Sequence, residues 1–379
     1  MVYYFDNAAT TALKPDVLAA MTPVYLENYG NPSGSHSMAR DALKLVDDSQ
    51  EILAEILGIN PSEIIFTSGG TEADNLAIYG VIDSIGGRPA CSALEHHAVL
   101  NPVEKLGGQI IGVTKDGSVD LSELNELDDD ISIVSIMAAN NETGVIQPIN
   151  KIAEILRDKY PNVLFHVDAV QGFCWLDLKS ICSMADLISI SAHKFGGPKG
   201  VGVLISKKCV KISPQILGGS QERGRRAGTH NVAGIVGLAK AAGMTSEARN
   251  MQTPRVKTLR DELSDGILKL VEGSMETAII DDERSNKLVN ISHICFDGIE
   301  SEALLYLLEK QGIMASAAAS CSSGALEPSH VLAAMGYDRR LAGGSLRLSL
   351  GYETTQEDVN KVLQVLPEAV NQIRGVKNG

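Results

Sequence analysis

The sequence lacks most of the features that mark secreted or membrane proteins. Its six cysteines are scattered over 379 residues without a CxxC pair, a usage that favours reduced, mostly buried thiols over a disulfide framework or a zinc site. No apolar run approaches the roughly 18 uncharged residues of a transmembrane helix. The first residues have neither the basic nor the apolar region of a secretory signal. We therefore expect a cytoplasmic protein.

Positive charge is also scarce. Lysine and arginine total 33 against 47 aspartates and glutamates, a net charge of −14, which argues against nucleic acid or an anionic membrane as the main partner. The chain is long enough for a sizeable core divided between two domains. We expect a large domain over 13–255 and a smaller one made of 1–12 with 256–379, with a hinge helix at 256–271.

One lysine lies between two predicted buried strands. The apolar runs 187–190 and 201–205 predict the strands, and Lys194 lies in the glycine-rich turn between them. Burial would disfavour the ammonium and leave the amine free to attack a carbonyl, while the glycines would let the backbone approach a bulky cofactor. From this stretch alone, a surface hairpin with a solvated lysine is the alternative.

A second glycine turn joins a predicted strand at 63–67 to a helix. Backbone N–H groups at such a helix start, together with the helix dipole, can bind a phosphate. The alternative is that Ser68 or Thr71 only caps the helix. Further along, the predicted strand 89–94 is followed by His96 and His97. A histidine there can face a ligand or cap the next helix, and a two-histidine metal site is disfavoured because adjacent side chains diverge.

The order of strand, polar residues and helix recurs. Strand 131–138 precedes Asn140 and Asn141, and strand 163–167 precedes Asp168 and Gln171. This order predicts an α/β fold with a mostly parallel, doubly wound sheet, whose polar residues face one crevice. The later alternation of strands (288–296, 345–350) and helices (300–311, 329–335, 356–373) predicts a smaller α+β domain.

A basic, glycine-rich loop occupies 218–231. Its three arginines suit an anion site or a subunit interface, and an exposed linker is the alternative.

This loop and the preceding elements carry sequence motifs that recur in a known protein family. Ten segments, in order, resemble motifs of the NifS/IscS family of cysteine desulfurases: DNAATT (6–11), GNPSGSH (30–36), TSGGTEADN (67–75), EHHAV (95–99), NNETG (140–144), HVDAVQ (166–171), SAHKFGGPKG (191–200), RAGTHN (226–231), SCSSGALEPSHVL (320–332) and LRLSLG (346–351).

The resemblance implies a pyridoxal 5′-phosphate enzyme of fold type I, with the class V aminotransferase fold and a seven-stranded sheet in its large domain. It implies that Lys194 binds the cofactor covalently and that Asp168 pairs with the ring nitrogen. His96 would stack on the ring and move protons, and Lys194 or His96 would remove the Cα proton. Gln171 would hydrogen-bond the phenolic oxygen, with Asn141 near that oxygen and the substrate.

The resemblance also assigns the phosphate and the substrate carboxylate. Gly70 and Thr71 would form the phosphate cup with Ser191 and His193. Thr229 would reach into the neighbouring subunit's site, which implies a homodimer. A separate arginine, Arg347, would bind the substrate carboxylate through two hydrogen bonds.

Cys321 distinguishes a desulfurase from other class V enzymes. Its neighbours are small residues without strong periodicity, which suits a mobile loop that carries a thiol, although inert burial is the alternative. The resemblance implies that its thiolate takes sulfur from L-cysteine, leaving alanine and a persulfide. An iron–sulfur scaffold or a tRNA-thiolation relay would accept the sulfur. No metal is expected apart from a transient iron–sulfur contact with Cys321.

Two other functions are compatible with the same motifs, and one residue departs from the family pattern. A selenocysteine lyase or another class V enzyme would share the cofactor site, and a catalytically silent scaffold would keep only the fold. Ala192 stands where the family commonly has glycine. The extra methyl is tolerable if the backbone there avoids positive φ.

Overall fold

The computed structural model describes residues 1–279, 284–317 and 329–377. Its helices are α1 (Pro15–Leu26), α2 (Ser37–Leu57), α3 (Gly70–Ile85), α4 (His97–Lys105), α5 (Leu121–Leu124), α6 (Ile149–Lys159), α7 (Leu178–Met184), α8 (Val232–Leu270), α9 (Ser301–Lys310), α10 (His330–Ala334), α11 (Arg339–Ala342) and α12 (Gln356–Lys377). Its strands are β1 (Tyr3–Tyr4), β2 (Ile64–Thr67), β3 (Arg88–Ser92), β4 (Gln109–Ile111), β5 (Ile131–Ser135), β6 (Leu164–Asp168), β7 (Leu187–Ser191), β8 (Gly202–Ser206), β9 (Ser274–Glu276), β10 (Ile291–Phe296), β11 (Ile313–Met314) and β12 (Ser345–Ser349).

The large sheet confirms the α/β prediction. It has seven strands in the order β2-β8-β7-β6-β5-β3-β4. Strands β3 to β7 run parallel, and β8 is antiparallel to both of its neighbours. The connection from β7 to β8 is a turn too short for a crossover helix, so the chain must reverse direction there. The carboxyl ends of the parallel strands consequently meet at one edge of the sheet.

The second half of the chain builds a smaller sheet of β12-β10-β9, which is antiparallel. Strand β1 pairs in parallel with β11, so Tyr3 lies opposite Ile313. The N-terminal segment thus attaches to the C-terminal part of the chain. The free cysteines of the described residues are buried, apart from the exposed Cys209.

One predicted boundary is wrong. The sequence predicts separate helices at 232–249 and 256–271, whereas the structure has the single helix α8 with Pro254 inside it. Buried residues lie on both sides of this proline, including Ala242 and Val256, and α8 packs against α1, α2 and α12. Tertiary packing therefore outweighs the proline signal. Helix α8 continues through residue 255 without a break. No gap between helices therefore marks the predicted hinge at 256–271.

A close backbone approach fixes the turn before α3. A Cβ atom on Gly202 would lie 2.7 Å from the Cα and carbonyl carbon of Gly69 and 2.8 Å from the oxygen of Ile190. We expect Gly202→Ala to lower the free energy of unfolding by about 1–3 kcal/mol, because backbone atoms cannot rotate away from the methyl. Urea unfolding monitored by circular dichroism would measure the change.

The matched control for this substitution is Gly243→Ala in α8. No atom lies within 4 Å of its added Cβ, and alanine is favoured over glycine in a helix by about 1 kcal/mol. We expect this variant to be as stable as the parent or more so. Equal loss of stability in both variants would contradict the packing argument.

Candidate active site

A cavity of about 560 Å³ lies at the carboxyl ends of the parallel strands. It brings together predicted site residues from distant parts of the chain, namely Gly70, Thr71, His96, Asn141, Asp168, Gln171, Ser191, His193, Lys194 and Arg347. Thr229 is exposed and does not line this cavity. Cys321 lies outside the described residues. Its nearest described neighbours reach the cavity, since Ala317 lines it on one side and His330 on the other.

Lys194 ends a short 3-10 turn that follows β7. Its Nζ donates hydrogen bonds to the carbonyl oxygens of Ala8 (2.7 Å) and Ala9 (2.9 Å), so the solvated-lysine alternative is wrong. Burial, followed by the charge of Arg347, lowers the pKa of Lys194 to about 8. The site therefore holds an amine that loses its proton near neutral pH, as a nucleophile or base requires.

The departure at Ala192 causes no backbone strain. Among the described residues, those other than glycine with positive φ are Glu222, Arg223 and Ala278. Ala192 is buried at the start of the same 3-10 turn. The condition for tolerating its methyl group is therefore met.

Asp168 is the last residue of β6 and is 7% exposed. Its Oδ1 accepts a hydrogen bond from the backbone N–H of Val170 at 2.9 Å. Burial raises its pKa to about 6, against the opposing effects of that hydrogen bond and of Lys194. Within the described ranges no cation lies at ion-pair distance from this carboxylate. A buried acid of this kind, facing a cavity, suits a ligand with a cationic N–H group.

A polar layer supports Asp168 on the same face of the sheet. Side chains alternate along a strand, so His166 shares the face of Asp168. The ring nitrogens of His166 lie 2.7 Å from Ser135 Oγ and 3.0 Å from Ser189 Oγ. Burial lowers the pKa of His166 to about 3, so the ring is neutral. Sequence reasoning missed this layer, although the two-residue spacing of His166 and Asp168 could have indicated it.

Asp74 completes the layer from α3. The carboxyl is 1% exposed, and its Oδ1 lies 3.7 Å from His166 Nε2. Burial and the neighbouring charge of Asp168 raise the pKa of Asp74 well above its ordinary value. This shift favours the neutral form of Asp74, so of the two acids Asp168 is the one that more readily carries the negative charge.

The N-terminus of α3 faces the other end of the cavity. Gly70 begins the helix and no side chain caps it, so neither Ser68 nor Thr71 has the capping role considered from the sequence. The first-turn N–H groups are free to bind a ligand. Thr71, Ser191 and His193 line an adjoining cavity of about 380 Å³. Backbone and side-chain donors thus converge as a phosphate group requires.

His96 both caps a helix and lines the cavity. Its Nδ1 accepts the backbone N–H of Ala98 at 3.1 Å at the start of α4. Because Nδ1 is an acceptor, the neutral ring carries its proton on Nε2. Burial and the charge of Lys194 lower the pKa of His96 to about 4. The ring therefore presents an N–H donor at neutral pH, which makes Lys194 the better base.

Arg347 is held by two other segments of the chain. Its Nη2 pairs with Asp6 Oδ1 at 2.8 Å, and its Nη1 donates to the backbone oxygen of Asn141 at 2.8 Å. The buried Nε has no hydrogen-bond partner in the described part of the chain. Gln171 is fixed similarly, because its Nε2 donates to Ala8 O at 2.7 Å. A guanidinium in this position can bind a carboxylate that enters the cavity.

The basic loop is neither an exposed linker nor an open cluster of cations. Arg226 forms an ion pair with Glu72 at 2.7 Å, and Arg225 donates to Ser62 O at 3.0 Å. The buried Glu222 accepts the backbone N–H of Phe66 at 3.2 Å. These contacts attach the loop to the first turn of α3, to β2 and to Ser62 just before β2, so Arg225 and Arg226 serve the fold of the same chain. The predicted anion site on these arginines is therefore not supported.

No helix of the described ranges combines the length and hydropathy needed to cross a bilayer. Among the same residues, no group of three or more histidine, cysteine, aspartate or glutamate side chains is arranged to hold a metal ion.

The chain is similar to several known proteins. The family model described as aminotransferase class-V matches residues 3–362. A relative named cysteine desulfurase IscS, from Methanosarcina thermophila, is 43% identical over 98% of this chain and 93% of its own length. A solved structure titled NIFS-like protein is 38% identical with a TM-score of 0.90, covering 98% of this chain and 100% of that one. Another, titled SspA in complex with cysteine, is 30% identical with a TM-score of 0.79, covering 93% and 100%.

Proposed function

The chain belongs to the class-V aminotransferase family, and from its site we propose that it is a pyridoxal 5′-phosphate-dependent cysteine desulfurase. It converts L-cysteine to L-alanine and retains the sulfur for transfer. The observation that carries this function is the convergence of Lys194, Asp168 and Arg347 in one cavity that Ala317 and His330 also line. These last two residues lie on either side of the segment with Cys321. The relatives' names favour this activity over a selenocysteine lyase or a silent scaffold.

The residues present fit the cofactor. Lys194 supplies an amine with a lowered pKa, and Asp168 supplies a buried carboxylate without a cation. The free N–H groups at the start of α3, with Thr71 and Ser191, would hold the phosphate. When bound, pyridoxal phosphate withdraws electrons from the substrate and makes its Cα proton acidic.

The chain's own groups then have separate tasks. Arg347 binds the substrate carboxylate and fixes its orientation. The Nζ of Lys194 would take the Cα proton of the substrate. His96 would pack against the cofactor ring, and because its proton lies on Nε2 it would donate a hydrogen bond rather than act as the first base.

Sulfur transfer is assigned to Cys321. Its thiolate attacks the substrate sulfur, so that an S–S bond forms while the C–S bond breaks and its electron pair stays on carbon. That carbon then takes up a proton and becomes the methyl group of alanine. The sulfur atom remains on Cys321 as a persulfide and passes to an acceptor, either an iron–sulfur scaffold or a tRNA-thiolation relay.

We propose that the enzyme works as a cytoplasmic homodimer. Thr229 is exposed, and its loop is attached to the first turn of α3 by the Arg226–Glu72 ion pair. The Thr229 side chain is thus available to contact the cofactor phosphate bound in a second subunit. The buried free cysteines suit a reducing compartment. We also propose the division into a large domain over 13–255 and a smaller one made of 1–12 with 256–379.

Incubation of the purified protein with L-cysteine tests the function. We expect alanine in solution and a mass increase of one sulfur atom on the peptide that contains Cys321. Parallel incubation with L-selenocysteine separates the rival activity, for which selenocysteine alone would yield alanine. Absence of alanine from both substrates, in protein that carries the cofactor, would refute the proposal.

A further inference from the structure

Glu142 is an acid of the cavity that the motif analysis did not single out. It lies in the turn between β5 and α6, where the Oδ1 of Asn140 accepts the backbone N–H groups of Glu142 (3.0 Å) and Thr143 (2.9 Å). This Asx turn fixes the backbone direction of Glu142. The residue is 6% exposed and lines the cavity with Lys194 and Arg347. Its carboxyl is therefore held inside the site.

The contacts of this carboxyl leave it without a countercharge. Its Oε2 accepts a hydrogen bond from the hydroxyl of Ser329, the residue that caps α10. No cation of the described ranges lies at ion-pair distance, because Arg347 pairs with Asp6 instead. The other titratable and charged groups that line the same cavity are Asp74, His96, His97, Asp168, His193, Lys194, His330 and Arg347.

Burial and the neighbouring groups together set the pKa of the Glu142 carboxyl. Burial raises the pKa of Glu142 to about 7, against the Ser329 hydrogen bond and the charge of Arg347, which both favour the carboxylate. The neutral His96 holds its proton on Nε2 and has a pKa of about 4, so it is a poor proton reservoir. Lys194 is already assigned to the Cα proton. Glu142 is therefore a buried, anchored acid of this cavity that can give up a proton and regain it at neutral pH.

We propose that Glu142 is a catalytic acid of the desulfurase reaction that protonates the substrate carbon from which sulfur departs. The electron pair of the broken C–S bond takes the proton from the Glu142 carboxyl, which becomes a carboxylate. The carboxylate then takes up a proton from water, which matches the proton that the attacking thiol lost when it formed its thiolate, so the acid is restored and the protons balance. The inference rests on the proposed function and adds a residue to it.

The test is Glu142→Gln, in protein that carries the cofactor. Glutamine keeps an oxygen for the Ser329 hydroxyl and cannot supply the proton. We expect kcat for alanine formation to fall about 100-fold, as is typical when a general acid is lost, with KM changed by less than about threefold and an unchanged cofactor spectrum. Because the acid must be protonated, the parent loses activity as pH rises through about 7. This alkaline limb of the pH–rate profile should be absent in Glu142→Gln.

Ser329→Ala separates proton transfer from anchoring. Removing its hydrogen bond destabilises the carboxylate, so the pKa of Glu142 should rise and the alkaline limb should move to higher pH. Glu142→Asp should recover part of kcat. If Glu142→Gln and Ser329→Ala lower kcat alike and both keep the parent's pH profile, Glu142 only anchors Ser329 and the inference is wrong. A parent protein that forms no alanine would instead refute the proposed function.

Discussion

Replacing Lys194 with alanine is expected to remove alanine formation from L-cysteine and the violet absorbance band of the bound cofactor. Loss of both the covalent link and the Cα base should lower kcat by roughly 10³-fold or more. The substitution also deletes two hydrogen bonds, to Ala8 O and Ala9 O, that attach the N-terminal segment to the site. The activity loss should therefore come with weaker cofactor binding.

Absorbance spectroscopy and an alanine assay on the same sample measure both effects. Lys208→Ala is the matched control, since this lysine is exposed after β8 and lies outside the cavity. It should keep the band and the parent's activity. Full turnover in the Lys194 variant would mean that another group carries the cofactor, and the assignment of the site would fail.

Local sequence signals are sufficient for part of the fold. The apolar runs 187–190 and 201–205 predict strands that coincide within one residue with β7 and β8. The short elements β4, α5 and α7 were missed because segments of three to seven residues carry too little periodicity. Helix α8 was divided because a proline signal is local, whereas the packing that overrides it is not.

The candidate site likewise contains some residues that the sequence indicates and others that only the fold brings together. Family motifs in the sequence indicate Lys194 and Asp168. Glu142 lies in the NNETG segment (140–144), but its hydrogen bond with Ser329, 187 residues away in sequence, could not be derived from spacing. The pairing of Asp6 with Arg347, separated by 341 residues, likewise could not be derived from spacing. Sequence patterns indicate which chemical groups are present, and the fold determines which of them share a proton or a countercharge.

Replacing Cys321 with alanine is expected to abolish alanine formation and the gain of sulfur while leaving the cofactor spectrum intact. The described neighbours of its segment support this separation. Ser316 pairs through its backbone with Arg347, and Ser329 bonds to Glu142, so both ends of the segment are attached at the cavity. None of the groups assigned to the cofactor lies in that segment. Loss of the thiol should therefore remove the sulfur acceptor alone.

Cys209→Ala is the matched control because Cys209 is a free, exposed thiol away from the cavity. Peptide mass spectrometry after incubation with L-cysteine distinguishes the two thiols. In the Cys209 variant the added sulfur should remain on the Cys321 peptide and alanine should form at the parent's rate. If alanine formation survived in Cys321→Ala and failed in Cys209→Ala, the attacking thiol would be the exposed one. Sulfur transfer would then involve a thiol outside the cavity. The attachment of residues 317 and 329 at the cavity would not account for such a transfer.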